Sequence, residues 1–146
     1  VHIYDCFDIN VLLDAAYANF AKLAKRQKAT AFQGILLLTE TAQDHYFEQL
    51  YHRTEKNGNL TQWQFSRLDQ DECTLLAKRT DGALLSLIAG RQIVTAEKIE
   101  VAALATRKTF TDGQTLTAVL AELAELQNQQ YCLGEWGNGW VRVVKK

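Results

Sequence analysis

Apolar residues recur along this chain at two periods, one helical and one strand-like, and the two alternate. Val11, Leu12, Ala15, Ala16, Phe20, Leu23 and Ala24 fall at i, i+3 and i+4 spacing, which predicts an amphipathic helix with one buried face. Asp8 or Asn10 can cap it by accepting a bond from a free backbone N–H. Lys22, Lys25, Arg26 and Lys28 sit in its last turns, where positive charge suits the carbonyl end of the helix dipole. Residues 1–4, ahead of the helix, read as a short strand. GILLLTE at 34–40 is a continuous apolar run of the kind found in a strand covered on both faces, which points to a parallel central sheet. Thr41 with Asp44 then resembles a helix start, and Tyr46, Phe47, Leu50 and Tyr51 follow at helical spacing.

Beyond the turn at Asn57, Gly58 and Asn59, residues 61–68 and 73–78 have β-type composition; they are a hairpin or successive strands of the main sheet. Asp81 and Gly82 turn the chain into the apolar run ALLSLIAG, and 98–105 carries a further strand. Leu116, Val119, Leu120, Leu123 and Ala124 form a helical stripe, after which 131–133 returns to strand. The order is that of an α/β protein with a mainly parallel central sheet and flanking helices. No repeat, low-complexity tract or composition break marks a linker, so 1–146 is read as a single domain.

Composition narrows the function classes. The chain has 146 residues, 47% of them hydrophobic, enough for one core. Its 16 Lys and Arg against 17 Asp and Glu leave a net charge of -1, so no overall field draws nucleic acid or an anionic membrane. The apolar runs fall far short of the roughly 20 residues that span a bilayer. Cys6, Cys73 and Cys132 are odd in number and widely spaced, which fits buried small side chains better than disulfides or a metal pair. With no basic, apolar leader and no paired cysteines, the expected location is cytoplasmic. With no Pro, no Met and a start at Val1, the expectation is either a fragment of a longer chain or a sequence from which residues are missing. An open sheet has edges to cover, so self-association into a homo-oligomer is an expectation too.

Motif-dependent chemistries find no support: there is no GxSxG, P-loop, HExxH or GxGxxG run. His2, His45 and His52 are too scattered to define a metal site alone. The ending GEWGNGW reads as a tight turn burying Trp136 and Trp140, or as an aromatic loop over a pocket.

Several segments, in order, resemble the polymerase-and-histidinol-phosphatase (PHP) domain family, whose distorted α/β barrels hold two or three metal ions and hydrolyse phosphoesters. VHIYD places His2 at the second histidine of the family's opening HxH. LLLTETAQD places Glu40 at the aspartate and Thr41 at the histidine of the TDH signature. IAGRQIV aligns Gly90 with the GIE signature and sets Arg91 and Gln92 where isoleucine and the ligand glutamate stand. EKIEVAALA and DGQTLTAVLAELAELQNQQYCLGEW resemble the downstream strand, helix and strand, without the closing histidine-proline pair. What the resemblance implies is an incomplete or distorted barrel. A histidine exchanged for Thr41 and a carboxylate for Gln92 would greatly weaken a multi-metal centre.

Three readings follow. The first is a PHP-like domain that has lost its multinuclear site, needs no cofactor, and serves in binding or regulation of a small molecule or a protein. The second is a metal-dependent phosphoesterase with a reduced site, built from His2, Asp5, Glu40, Glu97 and Glu135 around zinc, manganese or iron. The third is an unrelated α/β ligand-binding or assembly module whose pocket lies near Arg91, Gln92, Glu97, Glu135 and Trp136. In that reading Arg91 either holds an anionic group or pairs with Glu97 or Glu100.

Overall fold

A computed structural model describes residues 2, 8–54, 62–126, 130–135 and 139–144, the last two segments as backbone. Three helices and seven strands follow in the order α1 (Ile9–Arg26), β1 (Gly34–Glu40), α2 (Tyr46–Arg53), β2 (Trp63–Leu68), β3 (Asp71–Arg79), β4 (Leu84–Val94), β5 (Ile99–Leu104), α3 (Leu116–Glu125), β6 (Gln130–Glu135) and β7 (Gly139–Val144). The strands form one sheet ordered β2-β3-β4-β5-β6-β7, with β1 joined to β4.

This sheet is mixed and not mainly parallel, which corrects the expectation drawn from the apolar runs. Among the described strands, only β1 with β4 is parallel; the other five pairings are antiparallel. The described strands close no barrel. The physical reason lies in the connections: two residues separate β2 from β3 and four separate β3 from β4 and β4 from β5. Such links can only reverse the chain, whereas a parallel crossover needs a dozen or more residues. Burial on both faces made β1 and β4 apolar without making the sheet parallel.

The long strand β4 is the hub. Its first half, Leu84 to Ile88, pairs with β3, its second half, Gly90 to Val94, pairs with β5, and Leu85 to Arg91 pair with β1. Register then decides which side chains share a face. Leu36 and Leu38 of β1, Leu75 and Ala77 of β3, and Leu85, Leu87 and Ala89 of β4 fall on one side, and all are buried with Leu13 of α1 and Phe47 and Leu50 of α2. Further along the same face, Ile93, Val101 and Ala103 pack with Phe110 and with Val119 and Leu123 of α3. All three helices therefore pack on one face of the sheet.

Local caps agree with the sequence. Asp8 accepts from the backbone N–H of Asn10 at 2.9 Å to start α1, and Thr115 accepts from Ala118 to start α3. Thr41 donates to Asp44 at 2.6 Å, but this turn precedes α2, which begins at Tyr46. The buried face of α1 is centred on Ile9 and Leu13, with Leu12, Ala16, Tyr17 and Phe20 beside it. Val11 and Leu23 are instead exposed. Asp14 ties this helix to the β2-β3 hairpin by accepting from Trp63 Nε1 at 3.0 Å and from Arg79 at 2.8 Å. Of the expected strand at 1–4, His2 is described, as a parallel bridge to Thr39.

Helix α1 approaches β1 at Gly34, where a Cβ would come within 2.7 Å of the Phe20 ring and of Leu85 Cδ2. Gly34→Ala must push both apart. We expect a destabilisation of about 1–3 kcal/mol, read as a lower midpoint in urea denaturation without a change of slope.

Candidate functional site

At the last register position of the parallel pair, Glu40 stands opposite Arg91. Both side chains point to the helix-covered face, and both are buried, at 1% and 2% exposure. Arg91 Nη1 donates to Glu40 Oε2 at 3.0 Å and to the Asp44 carbonyl at 2.9 Å, while Nη2 donates to the Arg107 carbonyl at 3.3 Å. The other carboxylate oxygen of Glu40 accepts the backbone N–H of Phe47 at 2.5 Å, in the first turn of α2. A carboxylate there suits the positive end of the helix dipole. Glu40, expected as a metal ligand, is thus committed to an ion pair and a helix start. Arg91 pairs with Glu40 and with neither Glu97 nor Glu100.

A second layer surrounds this pair. Arg107 forks onto Glu48 of α2 with contacts of 2.6 and 2.7 Å. Its guanidinium also lies 3.8 Å from the centre of the Tyr51 ring, whose ring centre is likewise 3.7 Å from Arg67. The hydrogen bonds from Arg107, more than its charge, hold the Glu48 carboxyl below its ordinary value of 4.5. These contacts fasten α2 to the sheet and leave no free nucleophile or base among them.

The residue after Arg91 faces the other way. Gln92 and Val94 lie on the face opposite the helices and line a cleft of about 420 Å³, together with Thr41 and Gln43 just beyond β1. Thr95 and Lys98 of the β4-β5 turn, and Asp112 and Gly113 of the loop before α3, complete the lining that matters chemically. The cleft lies outside the carboxyl ends of two parallel neighbours, the usual place for a ligand in open α/β sheets. Its volume is within the range of small-molecule sites.

Backbone bonds hold the walls. Thr95 N–H donates to the Ile99 carbonyl at 2.9 Å and Lys98 N–H to the Thr95 carbonyl at 3.0 Å, closing a tight turn. Ala96 N–H donates to the Gln114 carbonyl at 2.8 Å and Gly113 N–H to the Val94 carbonyl at 3.4 Å, so the loop is fastened to the turn. Glu97 faces away from this role: its carboxylate accepts the N–H of Leu116 at 2.9 Å at the start of α3. Its own backbone N–H and that of Leu116 hold its carboxyl below the ordinary value.

Of the anticipated site residues whose side chains are described, only Gln92 lines the cleft. His2 is exposed and shares a 3.3 Å hydrogen bond with the hydroxyl of Thr39, whose side chain alternates away from that of Glu40. His2 and Glu40 are therefore not brought together. Asp5 and Trp136 lie outside the described residues; Glu135 is described as backbone on β6, paired with Ile99 and Gly139. Among the described residues no group of three or more His, Cys, Asp or Glu is placed to hold a metal ion. Cys73 is free and half-buried, and burial pushes its thiol above its ordinary value. Lys98 and Asp112 were missed; the turn dipeptide Asp112-Gly113 was the signal for one of them.

Comparison with protein families, with curated proteins and with solved structures finds no match for this chain. Among the described residues no helix is long and apolar enough to cross a membrane.

Two outcomes are expected from this geometry. Glu40→Ala strands the buried Arg91 charge and should cost about 3–5 kcal/mol in chemical denaturation, whereas Glu40→Leu combined with Arg91→Met should recover most of that loss. Glu48 has a folded pKa below its unfolded one, so its contribution is full above about pH 4.5 and is lost as pH falls through the folded value. Denaturation from pH 7 down to about 3 should therefore show a decline that Glu48→Gln makes shallower.

Proposed function

We propose that this chain is a binding module of the α/β class that takes a small polar molecule in the cleft at the carboxyl ends of β1 and β4. The observation that carries this reading is the division of labour between adjacent residues. Glu40 and Arg91 spend their charges on each other, while Gln43, Gln92, Lys98 and Asp112 line a cleft and make no side-chain hydrogen bond or ion pair with the described residues. Polar groups that converge on a concavity without satisfying one another are suited to an external partner.

The binding role fits a PHP-like domain that has lost a multinuclear site as well as it fits an unrelated module, and the cleft supports it in both cases. The reduced phosphoesterase is less well supported. Of its suggested ligands, Glu40 is engaged by Arg91 and Phe47, and Glu97 by Leu116. A metal site would have to break these bonds, and the first of them leaves a buried guanidinium uncompensated.

Two measurements on the purified chain test the proposal. In a fragment library of small polar compounds followed by two-dimensional amide NMR, hits should shift the Gln92, Ala96, Lys98 and Gly113 resonances, and Gln92→Leu should abolish those shifts. Stoichiometric zinc, manganese or iron that survives dialysis and vanishes in His2→Ala, with phosphoesterase turnover, would reverse it in favour of the hydrolase.

A further inference from the structure

We propose that the ligand of this cleft is an amino-acid-like zwitterion, its carboxylate held by Lys98, its ammonium by Asp112, and its polar remainder by the amides of Gln43 and Gln92. Zwitterion binding presupposes the ligand site proposed above and names its chemical class.

Three observations carry it. The first is charge placement. Lys98 and Asp112 line the same cleft from different segments, and neither is ion-paired, with the other or with any described residue. Other charges near the sheet ends are paired, Arg107 with Glu48 and Lys108 with Glu122, whereas these two remain open to a third partner. Two opposite, unpaired charges bordering one cavity are complementary to a ligand carrying both signs, and mismatched to a simple anion, which Asp112 would repel.

The second is the backbone at Lys98. Its φ is +64°, in the left-handed region. The turn from Thr95 to Ile99 needs one residue in that conformation, a slot that glycine fills without steric cost. A lysine fills it here, at some backbone cost, in a turn that lines the cleft. Glycine would close the same turn, so the side chain at this position can be removed without cost to the fold.

The third is rigidity and size. The Ala96 to Gln114 and Gly113 to Val94 backbone bonds couple the turn bearing Lys98 to the loop bearing Asp112, so the two backbone segments hold a fixed relation on the cleft wall. A cleft of about 420 Å³ lies at the small end of ligand sites and suits a molecule of amino-acid size. The neutral amides of Gln43 and Gln92 each offer donors and an acceptor, and so can read a polar side chain of either kind.

The test is an amide NMR titration of the full chain with the twenty standard L-amino acids, and with acetate, methylammonium and inorganic phosphate as single-charge probes. At least one amino acid should shift Ala96, Lys98 and Gly113 with an affinity tenfold or more above that of acetate and of methylammonium. Lys98→Gly and Lys98→Gln should each weaken it about tenfold or more, as loss of a charge-assisted contact does. Lys98→Gly should do so with a melting temperature equal to or above that of the wild type, which separates lost binding from lost folding. Asp112→Asn should weaken the amino acid and leave acetate unchanged or tighter. Acetate or phosphate binding as tightly as every amino acid would overturn the zwitterion while leaving the cleft a binding site. Silence from all amino acids, with other library compounds moving the same amides, would do the same. Silence from every compound would overturn both.

Discussion

The buried pair of Glu40 and Arg91 is the constraint on which the rest of the structure depends. Neither charge is tolerable alone in a water-free interior, so the ends of β1 and β4 must meet in one register. Slipping the parallel pair by one residue would turn every apolar side chain of β1 to the wrong face and separate the charges at the same time. The same pair recruits α2, through the Phe47 N–H on Glu40 and the Asp44 carbonyl on Arg91, and reaches the segment after β5 through the Arg107 carbonyl. One ion pair thereby joins strands, a helix and a loop that are distant in sequence.

The period of two in a β-strand divides this region into two kinds of surface. Arg91 and Ile93 look toward the helices and build structure, while Gln92 and Val94 look away and line the cleft. The ion-pair network under α2 lies on the helix side of the same strand, and its charges do not enter the cleft.

Much of the fold was legible because it is local. The stripe of Leu116, Val119, Leu120 and Leu123, the buried face of α2 and the turn at Gly82, with φ +91°, all follow from spacing and residue type. The stripe of α1 was right at Leu12, Ala16 and Phe20, which pack against the core, and wrong at Val11 and Leu23, because Ile9, Val11, Leu12 and Leu13 surround the helix with apolar side chains and only packing selects among them. The direction of the sheet was misread because apolar runs report burial and not strand polarity; the short connections were the better guide. The strand β7 was not anticipated at all. In the candidate site, Gln92 was reached through family resemblance, whereas Lys98 and Asp112 come together only through a turn and a loop joined by backbone bonds. The partner of Arg91 was sought among the nearby Glu97 and Glu100, and it stands 51 residues away, at a distance that register alone could reveal.

That separation orders the events of synthesis. A ribosome delivers Glu40, α2 and the whole β2-β3 hairpin before it delivers β4, and until Arg91 emerges the carboxylate has no counter-charge and β1 has no sheet partner among the named strands. The first half of the chain can join α1 to the β2-β3 hairpin through Asp14, Trp63 and Arg79, but it cannot complete the sheet. Once β4 appears, three pairings and the charge neutralisation become available together. Completion of the sheet is then centred on a single late strand, whose pairing with β1 joins segments distant in sequence.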